Sequence, residues 1–197
     1  MRKVILYMVL SLDGFVCGPQ NELDWENQDM EIGRELIPEL LSTVNTMILG
    51  RNLYQGFEQA WPAMAKNPAM PKEIVDFAHW VEDSRKFVFS KTLNSVTWKN
   101  SHIVRVQNDE DIINEITKLK KELDGDIVLF GGAEFAQTIV RLGLVDEYRF
   151  KLQPVVLGKG KALFQDIQQR MKLKLIKAKQ FKSGVVALYY DTENKAS

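Results

Sequence analysis

The stretch TVNTMILGRNLYQGF, residues 43–57, decides the fold class. Its apolar run, residues 47–49, is typical of a buried strand and stops at Gly50 and Arg51, where a segment of helical character begins. A glycine and a permanent positive charge therefore stand where a strand passes into a helix. In open α/β sheets, ligands bind beyond the carboxyl ends of the strands, so this junction is a candidate binding site.

Short apolar runs alternate with longer amphipathic segments along the rest of the chain. The pattern predicts strands at 3–10, 45–49, 85–89, 102–106, 126–130, 145–153, 172–181 and 184–190, and helices at 31–42, 52–58, 71–81, 109–123 and 133–142. This alternation predicts an α/β fold with a mixed, mostly parallel sheet, helices on both faces and a C-terminal antiparallel hairpin. We expect one domain over residues 1–191 and a frayed tail at 192–197.

Composition and charge limit the kinds of partner. The 197 residues include 26 basic and 26 acidic side chains, so the chain lacks the positive field that gathers proteins on nucleic acid or anionic membrane, and we expect a small-molecule partner. The apolar first strand is interrupted at Asp13 and Gly14, which argues against a signal peptide, and no membrane-spanning apolar run occurs. The single Cys17 allows neither an internal disulfide nor a cysteine metal site, so we expect a cytoplasmic protein without a metal.

Three predicted strands end in groups that bind anions, namely backbone amides at a helix start, hydroxyls and cationic side chains. The groups are Gly50, Arg51, Asn52 and Leu53 after the second strand, Ser90, Lys91 and Thr92 after the third, and Gly131, Gly132, Ala133 and Glu134 after the fifth. A glycine at any one of these turns can simply satisfy backbone geometry. Three such ends in one small sheet favour a ligand with separated phosphates, such as a dinucleotide with an extra ribose phosphate. The glycine fingerprint of the ordinary NAD fold is absent.

Several stretches carry a resemblance to a known superfamily. YMVLSLDGFVCGPQNELDW (7–25), MILGRNLY (47–54), RKFVFSKTL (85–93) and DIVLFGGAEFAQ (126–137) resemble the dihydrofolate reductase-like superfamily, whose fold has three layers. SLDG at 11–14 and LVDEYRFKLQPVVLGKGKALF at 144–164 resemble its riboflavin-biosynthesis reductase branch more closely. The resemblance implies an NADPH-dependent reductase acting on a small heterocycle, most like 5-amino-6-(5-phosphoribosylamino)uracil reductase. The alternatives are a reductase of another small electrophile and a non-catalytic NADPH-binding sensor.

The resemblance also implies roles for individual residues. Arg51 would hold the 2′-phosphate of NADPH, and Ser90, Lys91 and Thr92 would lie beside the adenine ribose. The amides of Asn52 and Leu53 after Gly50 would meet the pyrophosphate, as would the segment Gly131, Gly132, Ala133 and Glu134, with a cis bond between its two glycines. Val9, Leu10, Val16 and Cys17 would lie on the nicotinamide side.

The catalytic acid does not follow the pattern of folate reductases. Those enzymes carry a carboxylate five residues after the tryptophan of the covering loop, and the corresponding count from Trp25 reaches Met30. Asp29 and Glu31 flank that position and are candidate acids or ordinary helix-start carboxylates. Asp13 of the SLDG sequence is a third candidate, or a turn former before Gly14. We therefore expect a reductase other than a folate reductase.

Two further expectations concern the second half of the chain. The GKGK sequence at 158–161 lacks the length and hydroxyl of a P-loop, and its lysines either receive a substrate phosphate or form a solvated loop. The strand-rich segment 172–190 leaves an open sheet edge, and relatives in the riboflavin-type branch dimerise through late strands, so we expect a homodimer.

Overall fold

The elements of the protein come from a computed structural model, which describes residues 2–27 and 29–193. They run in the order β1 (Val4–Leu10), β2 (Phe15–Cys17), α1 (Met30–Leu41), β3 (Val44–Gly50), α2 (Arg51–Ala65), α3 (Lys72–Asp83), β4 (Arg85–Ser90), β5 (Ser101–Arg105), α4 (Asp109–Glu122), β6 (Asp126–Leu129), α5 (Ala133–Arg141), β7 (Glu147–Leu152), β8 (Lys161–Ala162), β9 (Leu173–Gln180) and β10 (Val186–Thr192).

Every predicted strand and helix is present. The structure differs from the prediction by two additional short strands and by one helix that is longer than predicted. The two strands that periodicity missed, β2 and β8, are three and two residues long, too short for an alternating pattern to show. Helix α2 was predicted to stop at residue 58, but it continues to Ala65 and contains Pro62. Proline removes one helical hydrogen bond, but Ala60, Ala63 and Ala65 nearby are strong helix formers and favour continuation.

The described chain divides into two compact units, so the expected single domain remains a prediction. The first unit contains Arg2 and Met30–Val128, and the second contains Lys3–Asp29 and the chain from Leu129 onward. In the first unit the strand order is β5-β4-β3-β6, and all three neighbouring pairs are parallel. Their carboxyl ends therefore lie at one edge.

In the second unit the strand order is β1-β7-β10-β9. Strand β7 is parallel to β1 and antiparallel to β10, while β9 and β10 form the predicted antiparallel hairpin. The short strands β2 and β8 pair with each other. The predicted class, an α/β fold with a mixed, mostly parallel sheet and a C-terminal hairpin, is confirmed.

The predicted start of the frayed tail is wrong by at least two residues. Thr192 is the last residue of β10, and its amide donates to the carbonyl of Asp146 over 3.1 Å. The amide of Glu193 donates to the carbonyl of Lys172. Strand pairing therefore holds this segment, and residues 194–197 lie outside the described part of the chain.

A buried lysine fixes the beginning of β4. Lys86 is fully buried, and its ammonium donates to the carbonyls of Glu82, Ser84 and Lys99 over 2.9 to 3.1 Å. The Trp98 ring lies 4.5 Å from the same nitrogen. Burial lowers the pKa of Lys86 to about 8. These contacts anchor the strand whose other end carries Ser90.

No helix in the described ranges, 2–27 and 29–193, is long and apolar enough to cross a membrane.

Candidate functional site

The first unit brings two of the predicted anion-binding strand ends together. Strands β3 and β4 are parallel neighbours, and Gly50 pairs with Phe89 at their carboxyl ends. Arg51 begins α2 directly after β3, and Ser90 is the last residue of β4. We call Arg51, Ser90, Lys91 and Thr92 the strand-end cluster.

A direct hydrogen bond joins the two strand ends. Arg51 donates from Nη1 to Thr92 Oγ1 over 2.9 Å, and both residues are exposed. A guanidinium group has five N–H donors, so one bond to a neutral hydroxyl leaves most of its capacity for an anion. The contact holds the arginine at the edge of the sheet without neutralising its charge.

Ser90 shapes the turn that carries Lys91 and Thr92. Its side chain is buried, and Oγ accepts from the amides of Thr92 over 3.2 Å and Leu93 over 3.0 Å. A hydroxyl that receives two amides still has one proton to donate. Ser90 is therefore first a turn-forming residue, while Lys91 and Thr92 are the exposed groups of this segment.

Sequence reasoning missed Arg105, which belongs to the same edge. Arg105 is the last residue of β5, pairs with Ser90 of β4, is exposed and donates from Nη2 to Asn94 over 3.4 Å. The signal was available, because a strand ending in a cation is the pattern already noted at Lys91. Residues 50–53, 90–94 and 104–107 together hold three cations and no acidic side chain. This edge of the first unit therefore carries concentrated positive charge.

The start of α2 leaves backbone donors available. Gly50 occupies the N-cap position without a side-chain cap, and the first turn contains no acidic residue. The first amides of a helix have no partner within the helix, and the binding of an anion by the amides of Asn52 and Leu53 stays a prediction. Gly50 has a φ of −77°, which any residue can adopt, so the backbone conformation does not require glycine. What glycine contributes at this position is the absence of a side chain.

In the second unit, the predicted cis bond between Gly131 and Gly132 is wrong. No peptide bond in the described part of the chain is cis. The turn is made instead by positive φ angles, 138° at Gly131 and 76° at Gly132, which glycine adopts without a Cβ penalty. The implied cofactor geometry at this turn is weakened, and the NADPH assignment rests on Gly50, Arg51 and residues 90–92.

The other two residues of this segment contribute differently. Ala133 begins α5, whose N-cap Gly132 has no side-chain cap. Glu134 is exposed and accepts from the Lys161 ammonium over 2.9 Å. A carboxylate repels a pyrophosphate, so Glu134 can assist an anion only through its backbone amide. Lys161 is committed to this ion pair, while Lys159 of the same GKGK loop is exposed.

The predicted nicotinamide-side residues lie on β1 and β2. Val9 is half-buried and Leu10 is buried on β1, while Val16 and Cys17 are buried on β2. Burial raises the pKa of the Cys17 thiol, so this side chain is a small apolar group and not a thiolate. Their contact with a cofactor stays a prediction.

Asp13 makes the contacts of a loop anchor. Its carboxylate accepts from Ser11 Oγ over 2.7 Å and from the amides of Leu157 over 3.1 Å and Gly158 over 2.8 Å. The bond from Ser11, followed by the two amides, lowers the pKa of Asp13 below its usual value. A carboxyl held as an anion is poorly suited to donate a proton, and its catalytic role stays a prediction.

A glycine completes this loop. A Cβ at Gly160 would lie 2.3 Å from the carbonyl oxygen of Cys17, so only glycine allows β8 to approach β2 this closely. The GKGK sequence is therefore joined to the SLDG segment by Asp13 on one side and by strand pairing on the other.

The remaining acid candidates stand at the beginning of α1. Met30 is the first helical residue, with half-buried Asp29 before it and exposed Glu31 after it. The backbone amide of Asp29 donates to Asn27 Oδ1 over 2.9 Å. This contact does not assign a catalytic role to the Asp29 side chain. Both catalytic assignments stay predictions.

The sequence profile of the RibD C-terminal domain matches residues 2–187. The chain belongs to the RibD C-terminal domain family. The predicted membership of the riboflavin-biosynthesis reductase branch is confirmed. The chain is similar to the uncharacterized protein YyaP of Bacillus subtilis (strain 168), to which it is 37% identical over 189 residues that cover 96% of this chain and 94% of YyaP.

Solved structures share the RibD C-terminal domain fold at low identity. A putative riboflavin biosynthesis protein from Shewanella sp. PV-4 has a TM-score of 0.70 and 19% identity, covering 98% of this chain and 99% of its own. Dihydrofolate reductase from Enterococcus faecalis, solved with NADP(H), has a TM-score of 0.60 and 14% identity, covering 98% and 97%. These likenesses establish the fold of this chain.

Proposed function

We propose that this chain is an NADPH-dependent reductase that delivers a hydride to a small heterocycle of the pyrimidine or pteridine class. Membership of the RibD C-terminal domain family supports the reaction class. The observation that carries the cofactor assignment is the bond from Arg51 to Thr92, which holds a guanidinium at an edge with two further cations, Lys91 and Arg105.

The charge at this edge fits a ribose phosphate. A phosphomonoester carries about −1.5 to −2 charges near neutral pH and has three acceptor oxygens. Arg51, Lys91 and Arg105 supply positive charge, and Thr92 supplies a hydroxyl. NADH lacks this phosphate and has hydroxyl groups on that ribose. The strand-end cluster therefore favours NADPH.

NADPH, when bound, supplies a hydride from its nicotinamide ring. The chain's contribution would be to bind and orient it: Arg51 and Lys91 at the phosphate, and apolar Val9, Leu10 and Val16 at the nicotinamide. Buried apolar side chains exclude water from a reacting centre. A substrate like that of 5-amino-6-(5-phosphoribosylamino)uracil reductase fits this class, as does another small electrophile.

A non-catalytic NADPH sensor is the second candidate. The observation in its favour is Met30, an apolar residue at the position where folate reductases carry their acid. Hydride transfer depends strongly on orientation, so the missing carboxylate does not by itself remove activity.

Turnover separates the two candidates. The purified protein is mixed with NADPH and with a panel containing an aminouracil ribosyl phosphate, a dihydropteridine and a simple conjugated carbonyl compound. Loss of the nicotinamide absorbance with any of them supports a reductase. Tight NADPH binding without turnover supports the sensor, and absence of NADPH binding contradicts both.

We also propose that the protein is a cytoplasmic homodimer. Strand β9 stands at the end of the strand order in the second unit, and Leu175 and Ile176 on it are 52% and 49% exposed. Apolar residues on an edge strand are typical of a surface covered by another chain.

A further inference from the structure

One face of α2 contacts both ends of the irregular segment that follows β4. Arg51, Tyr54 and Glu58 are spaced three and four positions apart, so they lie on the same face of the helix. Arg51 donates to Thr92 near the start of the segment. Residues 91–97, which we call the strap, form neither helix nor strand, and each of them is exposed or half-buried. The strap is therefore held by side-chain contacts and not by a strand ladder.

A buried tyrosine ties the far end of the strap to α2. Tyr54 is fully buried, and its hydroxyl accepts from the amide of Trp98 over 3.2 Å and donates to Glu58 Oε1 over 2.9 Å. Thr97 Oγ1 donates to the same carboxylate oxygen over 2.7 Å. Burial raises the pKa of Tyr54, so the hydroxyl keeps the proton that it donates. Tyr54 and Glu58 together therefore hold Thr97 and the adjoining Trp98 against the helix.

Trp98 is itself a fixed point. Its buried ring has its centroid 4.5 Å from the Lys86 ammonium and 6.2 Å from the centroid of the Tyr54 ring. Its indole Nε1 donates to Glu82 Oε1 over 2.5 Å. The strap therefore runs from the turn formed by Ser90 to an anchor that α2, α3 and β4 share.

The strap is longer than the helix surface that it follows. Arg51 and Glu58 stand seven residues apart, which is about 10.5 Å along the helix axis. The five steps from Thr92 to Thr97 can span about 16 to 18 Å when extended. A segment with this slack can adopt many conformations, and fixing one of them costs conformational entropy. The contacts at both ends therefore decide where the strap lies.

The strap carries groups that are assigned above to the 2′-phosphate. Lys91 and Thr92 belong to it, and Asn94 accepts from Arg105. A ligand that meets groups already held in place pays less conformational entropy on binding. NADH has no 2′-phosphate, so it gains little from a fixed strap. The order of the strap should therefore affect NADPH more than NADH.

We propose that Tyr54 and Glu58 are positioning residues that set the preference for NADPH over NADH. They fix the far end of the strap, and the fixed strap holds Lys91 and Thr92 beside Arg51, where the 2′-phosphate is received. Neither Tyr54 nor Glu58 needs to contact the cofactor. The inference rests on the proposed NADPH-dependent function and adds the residues that determine its cofactor specificity.

Tyr54→Phe removes only the hydroxyl that joins Trp98 to Glu58. We expect NADPH binding, measured by calorimetry on the full chain, to weaken about two- to tenfold, the effect of about one neutral hydrogen bond. NADH binding should stay nearly unchanged. Thr97→Val, at an exposed position, removes the other hydrogen bond to Glu58 and should act in the same direction. Tyr190→Phe, at a half-buried tyrosine of β10, is the control and should change neither cofactor.

Substitutions at Glu58 separate positioning from charge. A negative charge near a phosphate opposes its binding, so loss of the charge alone should strengthen NADPH binding. Glu58→Ala also removes the acceptor of Tyr54 and Thr97, and we expect it to weaken NADPH binding about two- to tenfold. Glu58→Gln keeps an acceptor oxygen and should retain the preference for NADPH. Glu122→Ala, at an exposed acid of α4, is the control.

A double-mutant cycle tests whether Tyr54 acts through the contact at Arg51. In Arg51→Ala the strap no longer has its guanidinium partner, so adding Tyr54→Phe should not weaken NADPH binding further. Losses that simply add would show that Tyr54 acts elsewhere and would overturn the positioning role.

The outcomes separate this inference from the proposed function. If the unaltered protein prefers NADPH but Tyr54→Phe weakens both cofactors equally, or weakens neither, the positioning role is overturned while the function stands. Stronger NADPH binding by Glu58→Ala overturns the role of Glu58. Lack of NADPH binding by the unaltered protein contradicts the proposed function and the inference with it.

Discussion

Arg51 donates a hydrogen bond from Nη1 to Thr92 Oγ1 over 2.9 Å, joining the carboxyl ends of two parallel strands. The contact positions a permanent charge beside Lys91, with no acidic residue at 50–53 or 90–94. A structural arginine is usually paired with a carboxylate, whereas this one keeps its charge available. The finding is the basis for assigning a 2′-phosphate to this edge.

Replacing Arg51 by Ala should weaken NADPH binding about ten- to a hundredfold, because a charge-assisted hydrogen bond contributes about 1.5 to 3 kcal/mol. NADH binding should remain nearly unchanged, since NADH has no 2′-phosphate. Calorimetry with both cofactors measures the effect, and Arg170→Ala, at an exposed arginine of the second unit, is the control. An equal loss with both cofactors would show that Arg51 is structural.

Replacing Gly131 by Ala should lower the free energy of unfolding by about 1 to 3 kcal/mol, because its φ of 138° lies outside the range of L-residues. Among the described residues, and apart from the chain neighbours of Gly131, only Met8 Cε lies within 4 Å of an added Cβ, at 3.5 Å, so the cost comes from the backbone. Gly33→Ala is the matched control, because Gly33 lies within α1 and, apart from the backbone of its own helix and its chain neighbours, no described atom lies within 4 Å of an added Cβ. Alanine should stabilise that helix by about 0.5 to 1 kcal/mol. Urea unfolding measures both, and similar effects at the two positions would contradict the account.

Asp13→Asn should destabilise the protein at neutral pH, because the anion accepts three hydrogen bonds that hold the loop at Leu157 and Gly158. The folded pKa of Asp13 is lowered from its ordinary 3.8, so the stabilisation is present above that pH and is lost as pH falls through the folded pKa. Urea unfolding at pH 7 and at about pH 3 should show a difference between wild type and variant that shrinks in acid. A difference that stays constant with pH would mean that the charge of Asp13 does not anchor the loop.

Light scattering should give a mass of two chains, twice 22.6 kDa, at micromolar concentration. The exposed Leu175 and Ile176 on β9 supply the apolar contact. Ile176→Lys should shift the protein toward the single-chain mass, because a charge on an edge strand opposes pairing. A single-chain mass for the unaltered protein would contradict the dimer.

Long apolar runs made most of the fold predictable. The strand ending at Gly50 and the helix starting at Asp109 carry strong periodicity, and Asn108 caps that helix through a reciprocal bond with Asp111. Strands β2 and β8 were not predicted, because their pairing depends on contacts between residues more than a hundred positions apart, such as Phe15 with Ala162. No local pattern contains that information.

The candidate site was predictable where a polar or cationic side chain directly follows a predicted strand. Arg51 and Thr92 were identified as neighbours of two strand ends, and parallel pairing brings them into contact. Arg105 was overlooked because a single cation at a strand end resembles ordinary surface charge.

The most direct test of the cofactor assignment compares NADPH and NADH on the unaltered protein by calorimetry at fixed, low salt, where screening is weak. The account predicts that NADPH binds about ten- to a hundredfold more tightly, because Arg51, Lys91 and Thr92 meet a phosphate that NADH lacks. The preference should fall as salt rises. Equal dissociation constants for the two cofactors would contradict the central claim.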